Sequence, residues 1–312
     1  MNRMRSNERG QVFAITAISL VALLGMAAFV LDVGAWFRAD RQIQSVADAA
    51  ALAGAQHLPR SPGEAMGTAN DYAEKNDGPA PTNLTITSTK GPNDTIVVEM
   101  EDETPGYLSA VFGVEAVDIG ARAVARAALP SKVRWVAPIV VNEKHPKLNC
   151  DSGTPGHPKI CEGEATVLDF YHLKAGGPSG PDGSGSFGFV DFGGSSGTSE
   201  LADQIENGYD EYLGTGTYSA RTGNPFSSVG DELDARIGDE LLFPIYRKLT
   251  GTGTDAEYEI IGFVGFVITS MDFKGSKEKI YGYFTGTVWD GIESEGPGTP
   301  TDYGVRTIIL AE

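Results

Sequence analysis

From Val12 to Leu31 the chain reads VFAITAISLVALLGMAAFVL, twenty residues without a charged side chain. Few environments accept such a peptide. As a helix rising about 1.5 Å per residue it covers about 30 Å, the thickness of bilayer hydrocarbon, and a helix satisfies its own backbone donors and acceptors there. The run therefore predicts a membrane-spanning helix. A cleaved secretory signal is the main rival, but its apolar core runs about 7 to 15 residues and ends in a break that this sequence lacks. Arg3, Arg5 and Arg9 precede the run, while Asp32, Trp36 and Phe37 follow it. The two aromatics suit the interfacial belt, and the charge bias predicts an N-terminus on the inside. Arg38 and Arg41 weaken that bias, but Asp32, Asp40 and Asp48 sit among them. No second apolar run of comparable length follows, so the remaining residues are expected outside the cytoplasm.

The helical pattern continues past the membrane boundary. Ile43, Val46, Ala47, Ala50, Ala53 and Gly54 recur at intervals of three and four, with Asp40, Gln44 and Asp48 elsewhere on the helix. One helix is expected to about Leu58, where Pro59 and Pro62 end it, giving a rod of about 70 Å. Its upper half carries a stripe of small residues that requires a close neighbour. Either the stripe packs on the chain's own head, or it lets identical or related helices lie side by side in a homo-oligomer.

The chain has 312 residues and a formal charge of -18, with an isoelectric point near 4.6. Phosphate contacts need clustered Lys and Arg, which are absent, so nucleic acid is not expected as a partner. The two cysteines, Cys150 and Cys161, follow the apolar run and fit one short-loop disulfide in an oxidising compartment. Free thiols are the alternative. His145 and His157 lie nearby, but the spacing matches no strong zinc pattern, so no metal is expected.

Several stretches resemble a known family. Arg9-Gly10 before the apolar run, Leu31-Asp32-Val33-Gly34 at its end, and Gln44 to Ala53 with Ala47-Asp48-Ala49-Ala50-Ala51-Leu52-Ala53 are similar to the N-terminal segment of the TadE/TadG-like proteins of Tad (Flp) pilus assembly. A looser similarity runs through Tyr107 to Val114 and Val117 to Ala125, up to about residue 128. The resemblance implies a part in building, anchoring or decorating an adhesive pilus, pilin or pilus-assembly subunits as partners, and no catalytic residues. Pilins cut by prepilin peptidase carry a glutamate five residues after the glycine at the cut. Gly10 is a candidate processing site that departs from this pattern, because Ile15 occupies the glutamate position. The family's main shaft subunit is little more than one helix, and this chain carries a large head.

An α+β fold is expected, divided into a cytoplasmic N-terminus (1–10), the long helix (11–58), a small α+β domain (59–130) and a β-rich domain (131–312). In the small domain, 63–75 suits a helix, 83–88 and 95–101 a hairpin across Gly91-Pro92-Asn93-Asp94, 106–112 a short helix and 116–128 a strand. In the larger one, strands are expected at 133–142, 165–171, 187–192, 240–247, 257–273, 279–288 and 305–310. Helices are expected at 199–212 and 228–237, with Gly/Ser-rich loops at 176–186 and 193–198. Residues 240–310 read as a meander closing a sandwich or partial barrel.

Two catalytic fingerprints fail on context. Gly183 to Gly188 formally fits G-x-G-x-x-G but precedes a strand instead of opening a helix. Gly193 to Gly197 fits G-x-S-x-G, yet His57, His145, His157 and His172 all precede Ser195, so the expected order of base and nucleophile is missing. The unrelated order Asp169, His172, Ser195 stays open. Acidic loops at Asp182–Ser186 and Asp290–Glu295 offer oxygen ligands for calcium without an EF-hand spacing. Trp289, Tyr303 and Tyr209 suit a sugar or partner surface, or a β core. The sequence thus predicts a non-enzymatic, membrane-anchored pilus component without catalytic or cofactor residues. Its rivals are a surface module binding glycan or calcium, and a secreted hydrolase.

Overall fold

The computed structural model describes residues 8–150, 159–170, 186–194, 197–222, 226, 228–251, 253–273, 278–293 and 300–311. The chain divides into unit 1, Met1–Ala127 with Ile309–Glu312, and unit 2, Ala128–Ile308. The fold is α+β: a long apolar helix at the N-terminus and a mostly β C-terminal region.

Unit 1 is organised by α1 (Glu8–Ala55), 48 residues without interruption. Its lower part is apolar on all sides. Its upper part packs against α2 (Pro62–Lys75) and a sheet of β1 (Asn83–Thr87), β2 (Thr95–Pro105) and β3 (Ala116–Ala128). The helices meet through alanine and glycine. Ile43, Val46, Ala47, Ala50, Ala53 and Gly54 are all buried, as are Ala65, Ala69 and Ala73 at four-residue spacing on α2. A Cβ on Gly54 would lie 2.7 Å from the Ala65 carbonyl oxygen and 2.8 Å from Ile96 Cδ1, so the backbones approach closely there. The small-residue stripe is thus covered by the chain's own head.

The helix ends at Ala55, three residues before the expected end. The N–H groups of Gln56, His57 and Leu58 bind the carbonyls three residues back, and the Leu58–Pro59 peptide is cis. The three strands form an antiparallel sheet, with Thr87 opposite Thr95 and Thr95 opposite Arg126. Ile96, Val98, Met100, Ala121, Ala123 and Ala125 alternate onto its buried face. The β1–β2 turn is fixed by Asp94, whose carboxylate accepts the N–H groups of Thr89 (2.8 Å), Lys90 (2.9 Å) and Gly91 (2.8 Å).

Unit 2 contains β4 (Pro130–Val133), β5 (Val141–Asn142), β6 (Ala165–Asp169), β7 (Ser186–Asp191), α3 (Thr198–Asn207), β8 (Leu213–Gly214), β9 (Gly216–Thr222), α4 (Gly230–Ala235), β10 (Glu240–Thr250), β11 (Glu257–Asp272), β12 (Lys279–Thr285), β13 (Thr287–Val288), β14 (Gly291–Glu293) and, as far as Ile308, β15 (Val305–Leu310). Its main sheet runs β5-β10-β11-β12-β6. β11 outruns any one neighbour, because its start pairs with β9 and its end with β12 along the same edge, and β9 pairs onward with β7. The sheet therefore splits and curls into a partial barrel. Both faces of its centre are covered. Leu241, Phe243, Ile245, Val264 and Phe266 join Leu201, Ile205 and Leu233 of the two helices, while Leu242, Tyr246, Tyr258 and Phe263 join a second cluster with Val133, Val136 and Val305.

Three expectations change. The strand expected over 133–142 is broken into β4 and β5, with Trp135 at φ +60° and Pro138 offering no N–H to a ladder. The strand expected over 279–288 is interrupted at Gly286, whose N–H donates to Glu162 (3.1 Å). The meander ends there, since β13 pairs in parallel with β15. β8, β9 and β14 fall outside the expected strands. Cys150 and Cys161 form the disulfide, with Cα atoms 5.3 Å apart.

Two stability measurements test this packing in urea melts of the full chain in detergent. Gly54→Leu forces the side chain into the Ala65 backbone and is expected to cost about 1–3 kcal/mol, and an unchanged midpoint would contradict the close approach. For Asp94, burial alone raises the carboxyl, but the N–H groups of Thr89 and Lys90, the Thr95 hydroxyl and the Gly91 N–H outweigh it and hold the group below its ordinary 3.8. A depressed folded value means that the stabilisation is complete above the unfolded value and vanishes as pH falls through the folded one. Asp94→Ala is expected to cost about 1–3 kcal/mol at pH 7, with the difference from the parent shrinking below about pH 4.

Candidate functional site

The catalytic and ligand readings find no assembled site among the described residues. Ser195, His157, His172 and Gly183 to Gly185 lie outside them. Asp182 and Glu295, at the ends of the two acidic loops, are outside as well. Asp169 is ion-paired with Lys279 at 2.9 Å. His145 sits edge-on to Phe284, its Nδ1 accepts the Lys147 N–H (3.2 Å), and burial together with the Lys147 charge lowers its pKa. Cys150, Cys161 and Glu164 lie together, but both sulfurs are spent on the disulfide and offer no thiolate to a metal. The aromatics considered for sugar binding form no platform. Tyr303 is buried, Tyr209 and Trp289 pack against the second core cluster, and the Trp289 indole donates to the Arg134 carbonyl (2.7 Å).

The functional feature that the described residues do assemble lies on α1. An 18-residue window of this helix has a mean hydropathy of 2.5 and none of it is buried. Phe13, Ile18, Val21, Leu24, Phe29 and Leu31 all stand exposed. Gly10, the candidate processing position, is exposed within the first turns of the helix. Immediately after Leu31 the environment reverses. Asp32 is 1% exposed, and its Oδ2 accepts the backbone N–H groups of Leu108 (2.9 Å) and Ser109 (2.5 Å).

Those two residues open the 3-10 turn Ser109–Phe112 in the loop between β2 and β3. A carboxylate meeting the free N–H groups at the start of a helical turn is a charge-assisted cap, here supplied from 76 residues away. The loop is closed by its own bonds. The Gly106 N–H donates to the Glu115 carbonyl (2.8 Å), the Val114 N–H to the Ser109 carbonyl (3.1 Å), and Gly113 takes a left-handed φ of +87°. Sequence reasoning did not find this clamp. Its only signal was an acidic residue flush with the apolar run, since the partners are main-chain groups.

The comparisons with known proteins address the same helix. Residues 10–57 match the Tad family, described as "Putative Flp pilus-assembly TadE/G-like". The N-terminal segment is TadE/G-like. The matched range takes in the apolar run, Asp32 and the small-residue stripe, and leaves the β-rich region outside. No curated protein and no solved structure matches the chain. The TadE/G-like match and the apolar helix together support a membrane-anchored component of Tad pilus assembly.

Asp32→Ala removes the acceptor of two otherwise unpaired amides. Hydrogen exchange at Leu108 and Ser109 is expected to rise at least about tenfold while exchange in β1 and β2 stays put. Unchanged protection at those two amides would show that the loop holds without Asp32.

Proposed function

We propose that the chain is a minor pilin or assembly component of a Tad-type pilus, without enzymatic activity, anchored by α1 and presenting its head outside the cell membrane for adhesion or assembly. The observation that carries this reading is the coincidence of the TadE/G-like match, residues 10–57, with the apolar span and its alanine-rich continuation. Arg3, Arg5 and Arg9 before the span support an inside N-terminus, so the chain after Leu31 lies on the other side. The Cys150–Cys161 disulfide supports the same side, because such bridges persist in oxidising compartments.

The stripe from Ile43 to Gly54 is occupied by α2 and β2, so pilin or pilus-assembly subunits, or a second copy of this chain, meet α1 elsewhere. The exposed surface of its lower half remains open to helices within the membrane. The proposed domain limits near residues 58 and 130 follow the helix end and the start of the β-rich region. Gly10 is proposed as uncut, because Ile15 takes the place of the glutamate.

Protease added to intact cells is expected to degrade the head, and the protein should fractionate with membranes or sheared filaments. Alkylation of unreduced cells should leave Cys150 and Cys161 unlabelled. A protease-resistant head in the soluble fraction, with both thiols labelled, would overturn the proposal.

A further inference from the structure

The loop Gly106–Val114 presents apolar side chains that nothing in unit 1 covers. Tyr107 is 71% exposed and Val111 81%, with Leu108 and Val114 also exposed. Such a patch costs free energy in water unless something covers it. Its conformation is held rather than loose. Gly106 is needed at its base because a Cβ there would lie 2.5 Å from the Val114 carbonyl oxygen, and the Ser109 hydroxyl donates to that same carbonyl (3.2 Å). Its position is set by Asp32, the first residue after the last apolar residue of the span.

Along Gly10–Leu31 every position is exposed except Gly25 and Ala28, which are partly covered. A Cβ at Gly25 would meet nothing within 4 Å, so the loop meets α1 at Asp32, where the span ends. The loop therefore sits against the end of the span, and its apolar surface continues the apolar surface of α1.

We infer that this loop is a second membrane contact: its apolar tip, Tyr107, Leu108 and Val111, enters the headgroup and upper acyl region of the bilayer beside α1. The inference rests on α1 being the membrane anchor. A tyrosine at the edge of an apolar patch suits that depth, where one end of the ring is wet and the other dry. The charges beside the loop, Glu103, Glu115 and Asp118, are acidic, so the covering lipid is zwitterionic and held by apolar contact, without attraction to anionic headgroups.

The test uses the full chain in phosphatidylcholine vesicles, with one introduced cysteine at a time carrying an environment-sensitive fluorophore. The native cysteines are bridged and do not react. Val111→Cys reports on the loop, Val21→Cys on the middle of the span, and Thr87→Cys on the far end of the β1–β2 hairpin. Lipid-borne nitroxide is expected to quench the Val111 probe at least about half as strongly as the Val21 probe, and aqueous iodide at least about threefold less than the Thr87 probe. Adding Asp32→Ala should lower lipid quenching at position 111 at least about twofold and leave position 21 unchanged. A Val111 probe as open to iodide as the Thr87 probe would overturn the inference. So would one shielded from both quenchers, which would mean that a protein covers the loop. A Val21 probe without lipid quenching would instead overturn the anchor on which the inference rests.

Discussion

The backbone approach of α1 to α2 at Gly54, Ala65 and Ala69 is the contact on which unit 1 depends, because the same helix must serve two surroundings. Below Asp32 it faces fluid acyl chains that adapt to any outline, so Val, Leu, Ile and Phe are acceptable at every position. Above Asp32 it faces a second helix and a sheet whose backbones cannot yield, and there Ala47, Ala50, Ala53 and Gly54 are required by space. The change from large to small side chains along one unbroken helix marks where lipid gives way to protein. Since the helix is unbroken between the two, the head of unit 1 is joined to the anchor by continuous helix.

Unit 2 is stabilised by a different principle. β10 and β11 are covered on both faces, and each alternation of side chains along them feeds a separate cluster. That is why their sequences read as nearly continuous apolar runs instead of the apolar–polar alternation of a half-exposed strand. Gly282 on β12 is part of the same geometry. A side chain there would run into the Val267 carbonyl and the Phe266 ring, so the sheet can close around Phe266 only if that position is bare.

What the sequence made legible follows from which signals are carried by side chains. The span, the stripe and the β1–β2 hairpin were readable because charge, period and the Gly91-Pro92-Asn93-Asp94 turn are all side-chain properties; Asn93 indeed takes a left-handed φ of +51° there. β9, with the sequence GTYSART, offers only Tyr218 and Ala220 as an alternating pair, too short a pattern to announce a strand, and β7 and β11 supply the hydrogen bonds to its backbone. The break within 133–142 was hidden for the opposite reason: Val136, Ile139, Val140 and Val141 look like one strand, but Trp135 at φ +60° and Pro138, which has no N–H, interrupt it. In the candidate site, Asp32 could be singled out as acidic and adjacent to the span, whereas its partners could not be named. Main-chain N–H groups 76 and 77 residues away leave no mark in the sequence.

Asp32 also bears on how deep the anchor sits. A carboxylate at the edge of hydrocarbon is stable only while its charge is met by donors or water, and in this protein backbone N–H groups from the head meet it. Sliding α1 inward would carry that carboxylate and the folded loop together into the acyl region, with the acidic strand ends behind them. Sliding it outward would lift Leu31 and Val30 into water at a cost of about 2 kcal/mol for each such side chain. With α1 as the anchor, these opposite penalties on the adjacent residues Leu31 and Asp32 favour one depth of the helix in the bilayer.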